Sequence, residues 1–155
     1  MDDIDSIDVT VDGADEVDLN STGLRWWWCP FDGKNCCHTY KEYIWVVDES
    51  KMVDQLGAFK LPVEWFNMVL IVCIVSLSLR TINHHSDLRK QGDRFVTDMK
   101  NFIIDLDLGK INNPVALGDE LKAMTGVVEH GLFNGMVNKV IVAGKDGVKI
   151  VEVKD

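Results

Sequence analysis

Basic residues are scarce in this sequence. It contains 16 lysines and arginines against 25 aspartates and glutamates, which gives a formal net charge of −9. Proteins that bind nucleic acids need a basic face for the phosphate backbone, so the net charge argues against this class of function. An anionic small molecule is still compatible, because local hydrogen-bond donors and a lysine can bind it.

The cysteine spacing of a metal site is also missing. The cysteines are Cys29, Cys36, Cys37 and Cys73, and they lack the C-x-x-C pairs that zinc sites use. Because no secretory signal peptide is apparent, disulfides are not expected either. We therefore expect a cytoplasmic protein without a metal.

Long hydrophobic runs are absent as well. The most apolar stretch, MVLIVCIVSLSL at residues 68–79, is shorter than the roughly twenty residues that a membrane helix needs. Hydrophobic residues make up 46% of the chain and charged residues 26%, as in ordinary globular proteins. The 155 residues suffice for one domain with a sizeable core, or for pieces of two small ones.

What the sequence does contain is a β-strand pattern that ends in acidic residues. Ile7, Val9 and Val11 alternate with polar residues, and this period of two predicts a strand over residues 7–11. The strand leads into DGADE at residues 12–16. In open α/β folds, ligands bind at the carboxyl ends of strands, where such acids can hold a polar substrate. The alternative is an acidic loop solvated at the surface.

Other segments predict alternating strands and helices. Strands are predicted over residues 43–47, 101–108, 127–128, 137–142 and 148–153. The run at 43–47 is continuously apolar, so we expect it to be buried on both faces. Asn113 and Pro114 predict the start of a helix that ends near Gly126. Residues 58–64 are interpreted as a connector, and residues 145–147 as a hairpin turn.

Several sequence blocks resemble, in order, the signatures of the ribose-5-phosphate isomerase A family. The blocks are DGADEV (12–17), VVDESK (46–51), LPVE (61–64), FVTD (95–98) and GVVEHGLF (126–133). The resemblance covers roughly residues 1–20, 43–64 and 87–154. An ordered set of matches is far more specific than any single block.

The resemblance implies an α/β fold, with a partial Rossmann-like parallel sheet domain and a smaller inserted α+β domain. Residues 1–60 and 132–155 would form the main domain, and residues 61–131 the small one. Family members interconvert ribose 5-phosphate and ribulose 5-phosphate, in the pentose phosphate pathway, without a cofactor. The family also implies a homodimer or homotetramer. Because family members carry a strand and a phosphate loop upstream of the first block, we expect this main sheet to expose apolar faces.

The resemblance also assigns site residues. Asp12, Gly13, Ala14 and Asp15 match the substrate loop, in which the two aspartates would bind sugar hydroxyls and assist proton movement during ring opening. Lys51 matches a substrate-binding lysine, although an ordinary surface lysine is the alternative.

Other family features have no match. The family's Lys-Gly-Gly-Gly loop would lie at residues 24–28, and its catalytic glutamate falls on Gly33. The Glu129-His130 pair is interpreted as structural rather than catalytic. Because the general base is missing, we predict no appreciable isomerase activity.

Two stretches, at residues 24–39 and 65–86, look foreign to the family. Tryptophan has a single codon, so Trp26, Trp27 and Trp28 require the nucleotides TGGTGGTGG. If the reading frame starts one base later, the same nucleotides encode three glycines. With plausible codons, residues 26–37 then become GGGALLMEKIVA, which restores a glycine loop and a glutamate at position 33. A shift in the other direction turns the second stretch into a family-like helix. The hypothesis is that both are frame-shifted translations.

Two further functional interpretations stay open. One is a non-catalytic module that binds sugar phosphates on a related fold, and the other is the product of a decayed pseudogene. Titration with ribose 5-phosphate separates a binder from an inactive product, and a thermal melt shows whether the chain folds cooperatively.

Overall fold

The computed structural model describes residues 6–25, 40–66, 86–87, 96–97 and 99–153. All four cysteines, Gly33, the apolar stretch 68–79 and most of both foreign stretches lie outside these residues. The described strands are β1 (Ile7–Asp12), β2 (Glu16–Val17), β3 (Gly23–Leu24), β4 (Tyr40–Asp48), β5 (Leu61–Trp65), β6 (Ser86–Asp87), β7 (Phe102–Leu106), β8 (Val127–His130), β9 (Leu132–Phe133), β10 (Lys139–Gly144) and β11 (Gly147–Glu152). A helix, α1 (Pro114–Lys122), and a 3-10 turn (Glu49–Lys51) complete the described elements.

The main sheet has the order β1-β4-β10-β11. Its first three strands are parallel, and β11 returns antiparallel to β10. The predicted hairpin turn is confirmed, since Gly144 pairs with Gly147 across it and Gly147 has a φ of 116°. This sheet confirms the predicted α/β class with parallel strands.

The prediction that residues 43–47 are buried on both faces is wrong. Side chains alternate across a strand, and Tyr43, Trp45 and Val47 are buried on one face of β4. On the other face Val46 is 47% exposed. Residues 43–47 are all apolar in sequence, but their burial alternates along the strand.

The open face of the main sheet extends across all its strands. Val151 of β11, 37% exposed, is on the core-facing side, but strand register places five other exposed apolar residues together on the opposite side. These residues are Val9, Val11, Val46, Val148 and Ile150. One face of the main sheet is thus apolar and exposed.

A second sheet is antiparallel, with the order β6-β7-β5-β8. One of its two inner strands, β5, corrects the interpretation of residues 58–64 as a connector. Pro62 lacks an N–H, but it lies near the start of the strand, where this loss is tolerated. Its carbonyl still accepts a hydrogen bond from the Gly131 N–H at 2.8 Å.

The helix begins where the sequence predicts. Asn113 is its N-cap and accepts a hydrogen bond from the Ala116 amide at 3.0 Å, and Pro114 occupies the first turn. Leu121 is buried against the antiparallel sheet, whereas Val115 is 51% exposed. The helix ends at Lys122, one turn before the predicted end.

A small sheet, β2-β3-β9, lies between the larger ones in the packing. Leu24 and Leu132 pack with the core of the antiparallel sheet, around Leu61 and Val63. Val17 and Phe133 pack with the core under the main sheet, around Trp45. The small sheet therefore joins the two cores, while the domain boundaries at 60/61 and 131/132 stay a prediction.

Candidate functional site

Asp12 is the last residue of β1 and lies at the carboxyl end of the parallel strands. Its register partner is Trp45, so its side chain is on the core-facing side of the sheet. The Tyr43 hydroxyl donates to Asp12 Oδ2 at 3.2 Å, and the Gly13 amide donates to Oδ1 at 2.8 Å. These donors hold the carboxylate in one orientation.

Arg25 forms an ion pair with Asp12. It follows directly after β3, whose pairing with β2 and β9 fixes where the arginine lies. The side chains of Arg25 and Asp12 are 21% and 23% exposed, so solvent screens the pair only in part. The site thus combines a carboxylate, a guanidinium and a phenol at the end of a strand.

The rest of the loop at residues 12–15, here called the aspartate loop, is also partly buried. The Asp15 amide donates to the Leu24 carbonyl at 2.9 Å, which ties the loop to β3. A Cβ on Gly13 would make only an ordinary contact, 3.7 Å from the Val46 carbonyl oxygen. Packing therefore does not require glycine at this position.

Two buried carboxylates follow the aspartate loop. Glu16 is 1% exposed and Asp18 is 8% exposed. Asp18 Oδ1 accepts hydrogen bonds from the Asn20 and Thr22 amides, both at 2.9 Å, and so closes the turn between β2 and β3. Glu16 instead bonds to a distant segment of the chain.

Lys51 ends the 3-10 turn that follows β4. Asp48 caps this turn by accepting the Ser50 amide at 2.9 Å and the Ser50 hydroxyl. The hydroxyl and then the amide of Ser50 hold the pKa of Asp48 below its ordinary value. The Lys51 ammonium lies 5.1 Å from the centroid of the Phe59 ring, a cation–π distance.

The predicted site residues are thus only partly assembled. Asp12, Gly13, Ala14 and Asp15 form one continuous loop, as they must from their sequence positions. Within the described ranges, no ion pair joins Lys51 to either aspartate of the loop. Their roles toward a substrate stay predictions.

Sequence reasoning missed Arg25 and Tyr43. Arg25 falls in residues 24–28, which were interpreted as unmatched to the family's lysine-glycine loop, yet its basic character was a usable indication. Tyr43 lies on a strand predicted correctly, but its approach to Asp12 depends on the register between β1 and β4. A single sequence gives no access to that register.

His130 is held within the fold, as its structural interpretation predicts. Its Nδ1 accepts from the Leu132 amide at 3.2 Å, so Nε2 carries the proton and donates to the Gly118 carbonyl at 3.1 Å. The ring thereby joins β8 to α1. Glu129 pairs with Lys122 at 3.1 Å, which agrees with a structural role for this segment.

A metal-binding group of side chains and a membrane-spanning helix are both absent from the described part of the chain. No group of three or more histidine, cysteine, aspartate or glutamate residues there could hold a metal ion. Nor is any described helix long and apolar enough to span a bilayer.

Comparison with known proteins gives one consistent result. The family model for ribose 5-phosphate isomerase A (phosphoriboisomerase A) matches residues 1–147. A ribose-5-phosphate isomerase A from Streptococcus thermophilus is 69% identical over 156 residues, which span 100% of this chain and 69% of that protein. One from Streptococcus mutans is 55% identical, over 98% of this chain and 68% of that protein.

Solved structures agree with the sequence comparison. A ribose 5-phosphate isomerase A from Methanocaldococcus jannaschii superposes with a TM-score of 0.87 at 32% identity, covering 98% of this chain and 68% of that one. A D-ribose-5-phosphate isomerase in complex with phospho-erythronic acid gives a TM-score of 0.86 at 34% identity, with the same coverage of both chains. The chain belongs to the ribose 5-phosphate isomerase A family.

Proposed function

We propose that the aspartate loop binds ribose 5-phosphate in this chain, at the site where members of the family interconvert it with ribulose 5-phosphate. The observation that carries the proposal is the cluster of Asp12, Arg25 and Tyr43 at the carboxyl end of β1. Carboxylates held in one orientation can accept hydrogen bonds from sugar hydroxyls. The phospho-erythronic acid in the related isomerase is itself an anionic polyol phosphate.

The isomerisation moves a proton between C2 and C1 of the open sugar through an enediolate. Asp12 and Asp15 would hold sugar hydroxyls and assist proton movement during ring opening. The Arg25 guanidinium provides the positive charge that stabilises a developing oxyanion. It needs little reorganisation, because Asp12 already fixes its position.

We further propose that the chain as sequenced binds the sugar without appreciable turnover. Gly33 stands where the family has its catalytic glutamate, and glycine cannot act as a general base. Loss of such a base typically costs about 10²–10⁴-fold in rate. The frame-shift hypothesis explains the glycine, and resequencing the gene across codons 20–90 tests it.

The binding proposal is tested by titrating ribose 5-phosphate into the purified chain by calorimetry. Asp12→Ala should weaken binding by at least about tenfold, the equivalent of one hydrogen bond to a charged group. Asp8→Ala is the matched control, since Asp8 lies on the same strand and pairs with Lys41 at the exposed edge. Equal affinity of all three proteins would refute the role of Asp12.

The turnover proposal is tested by repairing the segment. Residues 26–37 are replaced by GGGALLMEKIVA, and the control carries the same replacement with alanine instead of glutamate at position 33. The repaired chain should exceed both the original chain and the control by about 10²-fold or more. An original chain that already matches the repaired one would overturn the proposed lack of turnover.

A further inference from the structure

Glu16 is a buried carboxylate whose side chain, within the described residues, accepts hydrogen bonds from a segment distant in sequence. It is 1% exposed. Its Oε2 accepts from the Gly57 amide at 2.6 Å, and its Oε1 accepts from the Phe59 amide at 3.0 Å. Hydrogen bonds to an ionised acceptor are about twice as strong as neutral ones. Both oxygens of one side chain therefore hold the same distant segment.

That segment, residues 51–59, carries Lys51, the candidate site residue outside the aspartate loop. Lys51 begins it, and the Phe59 ring lies 5.1 Å from the Lys51 ammonium. The segment runs beside β2, where the Val53 amide donates to the Val17 carbonyl at 2.9 Å. Glu16 adjoins Asp15 in the chain, so one side chain connects the aspartate loop to the surroundings of Lys51.

The opposite side of the segment is fixed by close packing. Gly57 has a φ of 122°, and a Cβ there would lie 1.7 Å from the Gly109 carbonyl oxygen. The Ile111 amide donates to the Leu56 carbonyl at 2.9 Å. The segment is thus confined between Glu16 and residues 109–111.

We propose that Glu16 is a positioning residue that sets Lys51 and Phe59 at the distance from the aspartate loop that a bound sugar phosphate requires. Glu16 itself contacts no ligand and acts through the Gly57 and Phe59 amides. Phe59 limits the directions that the Lys51 ammonium can take, and Lys51 meets the oxygen atoms of the ligand. The inference rests on the proposed binding of ribose 5-phosphate.

The structure offers a matched control in Asp18. It is a second buried acid on the same hairpin, and among the described residues its side-chain hydrogen bonds use Oδ1 and reach just the nearby Asn20 and Thr22 amides. Asp18→Asn removes one charge and keeps that oxygen. Glu16→Gln removes one charge and also replaces one of the two acceptor oxygens by a donor, which faces an amide N–H.

The experiment measures ribose 5-phosphate affinity by calorimetry in five proteins: the original chain, Glu16→Gln, Asp18→Asn, Lys51→Ala and the double variant Glu16→Gln/Lys51→Ala. Glu16→Gln should weaken binding about tenfold, and Asp18→Asn less than about twofold. Lys51→Ala should weaken binding in the original chain but add little in the Glu16→Gln background, because coupled residues are non-additive. Amide exchange of Gly57 and Phe59 should rise in Glu16→Gln, while that of Thr22 does not.

The possible failures are distinguishable. If the original chain binds and Glu16→Gln binds equally well, or its effect adds fully to that of Lys51→Ala, the inference is overturned and the proposed function stands. If the original chain itself does not bind the sugar phosphate, the proposed function fails without any substitution. If Asp18→Asn weakens binding as much as Glu16→Gln, loss of charge or stability explains both, and the inference is wrong.

Discussion

The two larger sheets of this protein reverse the usual relation between strand direction and burial. Parallel sheets are usually covered on both faces, whereas antiparallel sheets often expose one. Here every residue of β5 in the antiparallel sheet is buried. The largely parallel main sheet instead leaves one face open, with Val11 62% and Ile150 61% exposed.

From this difference we expect stability and the proposed ligand binding to depend on different sheets. The antiparallel sheet contributes five of the ten buried residues of the larger core cluster and also buries polar groups such as Glu64. The main sheet carries the aspartate loop at the carboxyl end of β1, where Asp12 stays partly accessible. Substitutions in the antiparallel sheet should therefore affect folding, and those at the carboxyl end of β1 in the main sheet should affect binding.

The largest expected difference in the free energy of unfolding is between a substitution in the core and one on the open face of the main sheet. Leu61→Ala, in β5, should lower the free energy of unfolding by about 2–5 kcal/mol, because a fully buried leucine leaves a cavity. Ile150→Ala, on the open face of β11, should change it by less than about 1 kcal/mol. Urea denaturation of both variants measures this. Similar losses would show that the open face is covered in solution.

A smaller difference in the free energy of unfolding is expected between a buried and an exposed acidic residue. Glu64 is fully buried, and its Oε1 accepts from the Thr97 hydroxyl at 2.8 Å and the Asn101 amide group at 3.0 Å. Glu64→Ala leaves these donors without their acceptor, which should cost about 1–3 kcal/mol of unfolding free energy.

The control for that contrast is Asp8→Ala in β1. Asp8 and its partner Lys41 are 80% and 70% exposed. Exposed ion pairs contribute little, so the expected change is below about 1 kcal/mol. Thermal melts of both variants compare them. An Asp8 effect as large as that of Glu64 would refute the assignment of stability to the antiparallel sheet.

The smallest predicted effect is the pH response of Asp48, at the accessible end of β4. Ser50 lowers the folded pKa of Asp48 relative to the unfolded chain. The stabilisation is therefore present above the unfolded pKa and lost as the pH falls through the lower folded pKa. The Ser50 amide resonance in an NMR titration should shift with a midpoint below the ordinary aspartate value. Asp48→Asn should abolish that shift, and a midpoint at the ordinary value would contradict the prediction.

Much of the local structure was predictable because its determinants are close in sequence. Alternating residues predicted β1, Asn113 and Pro114 predicted the start of α1, and residues 145–147 predicted the hairpin. The connector at 58–64 was wrong, since β5 pairs with strands distant in sequence. Pro62 favoured a connector, but residues 61–65 form a strand because they pair with both β7 and β8.

By itself, the sequence determined the family through its ordered blocks, and it placed Asp12 to Asp15 at the end of a strand. Only the tertiary structure decided what surrounds them. Asp12 forms an ion pair with Arg25 and accepts a hydrogen bond from the Tyr43 hydroxyl, and the neighbouring Glu16 accepts hydrogen bonds from two distant amides. The physical reason is range. Periodicity and capping act over a few residues, whereas Glu16 and Phe59 are 43 positions apart and meet only when the chain packs.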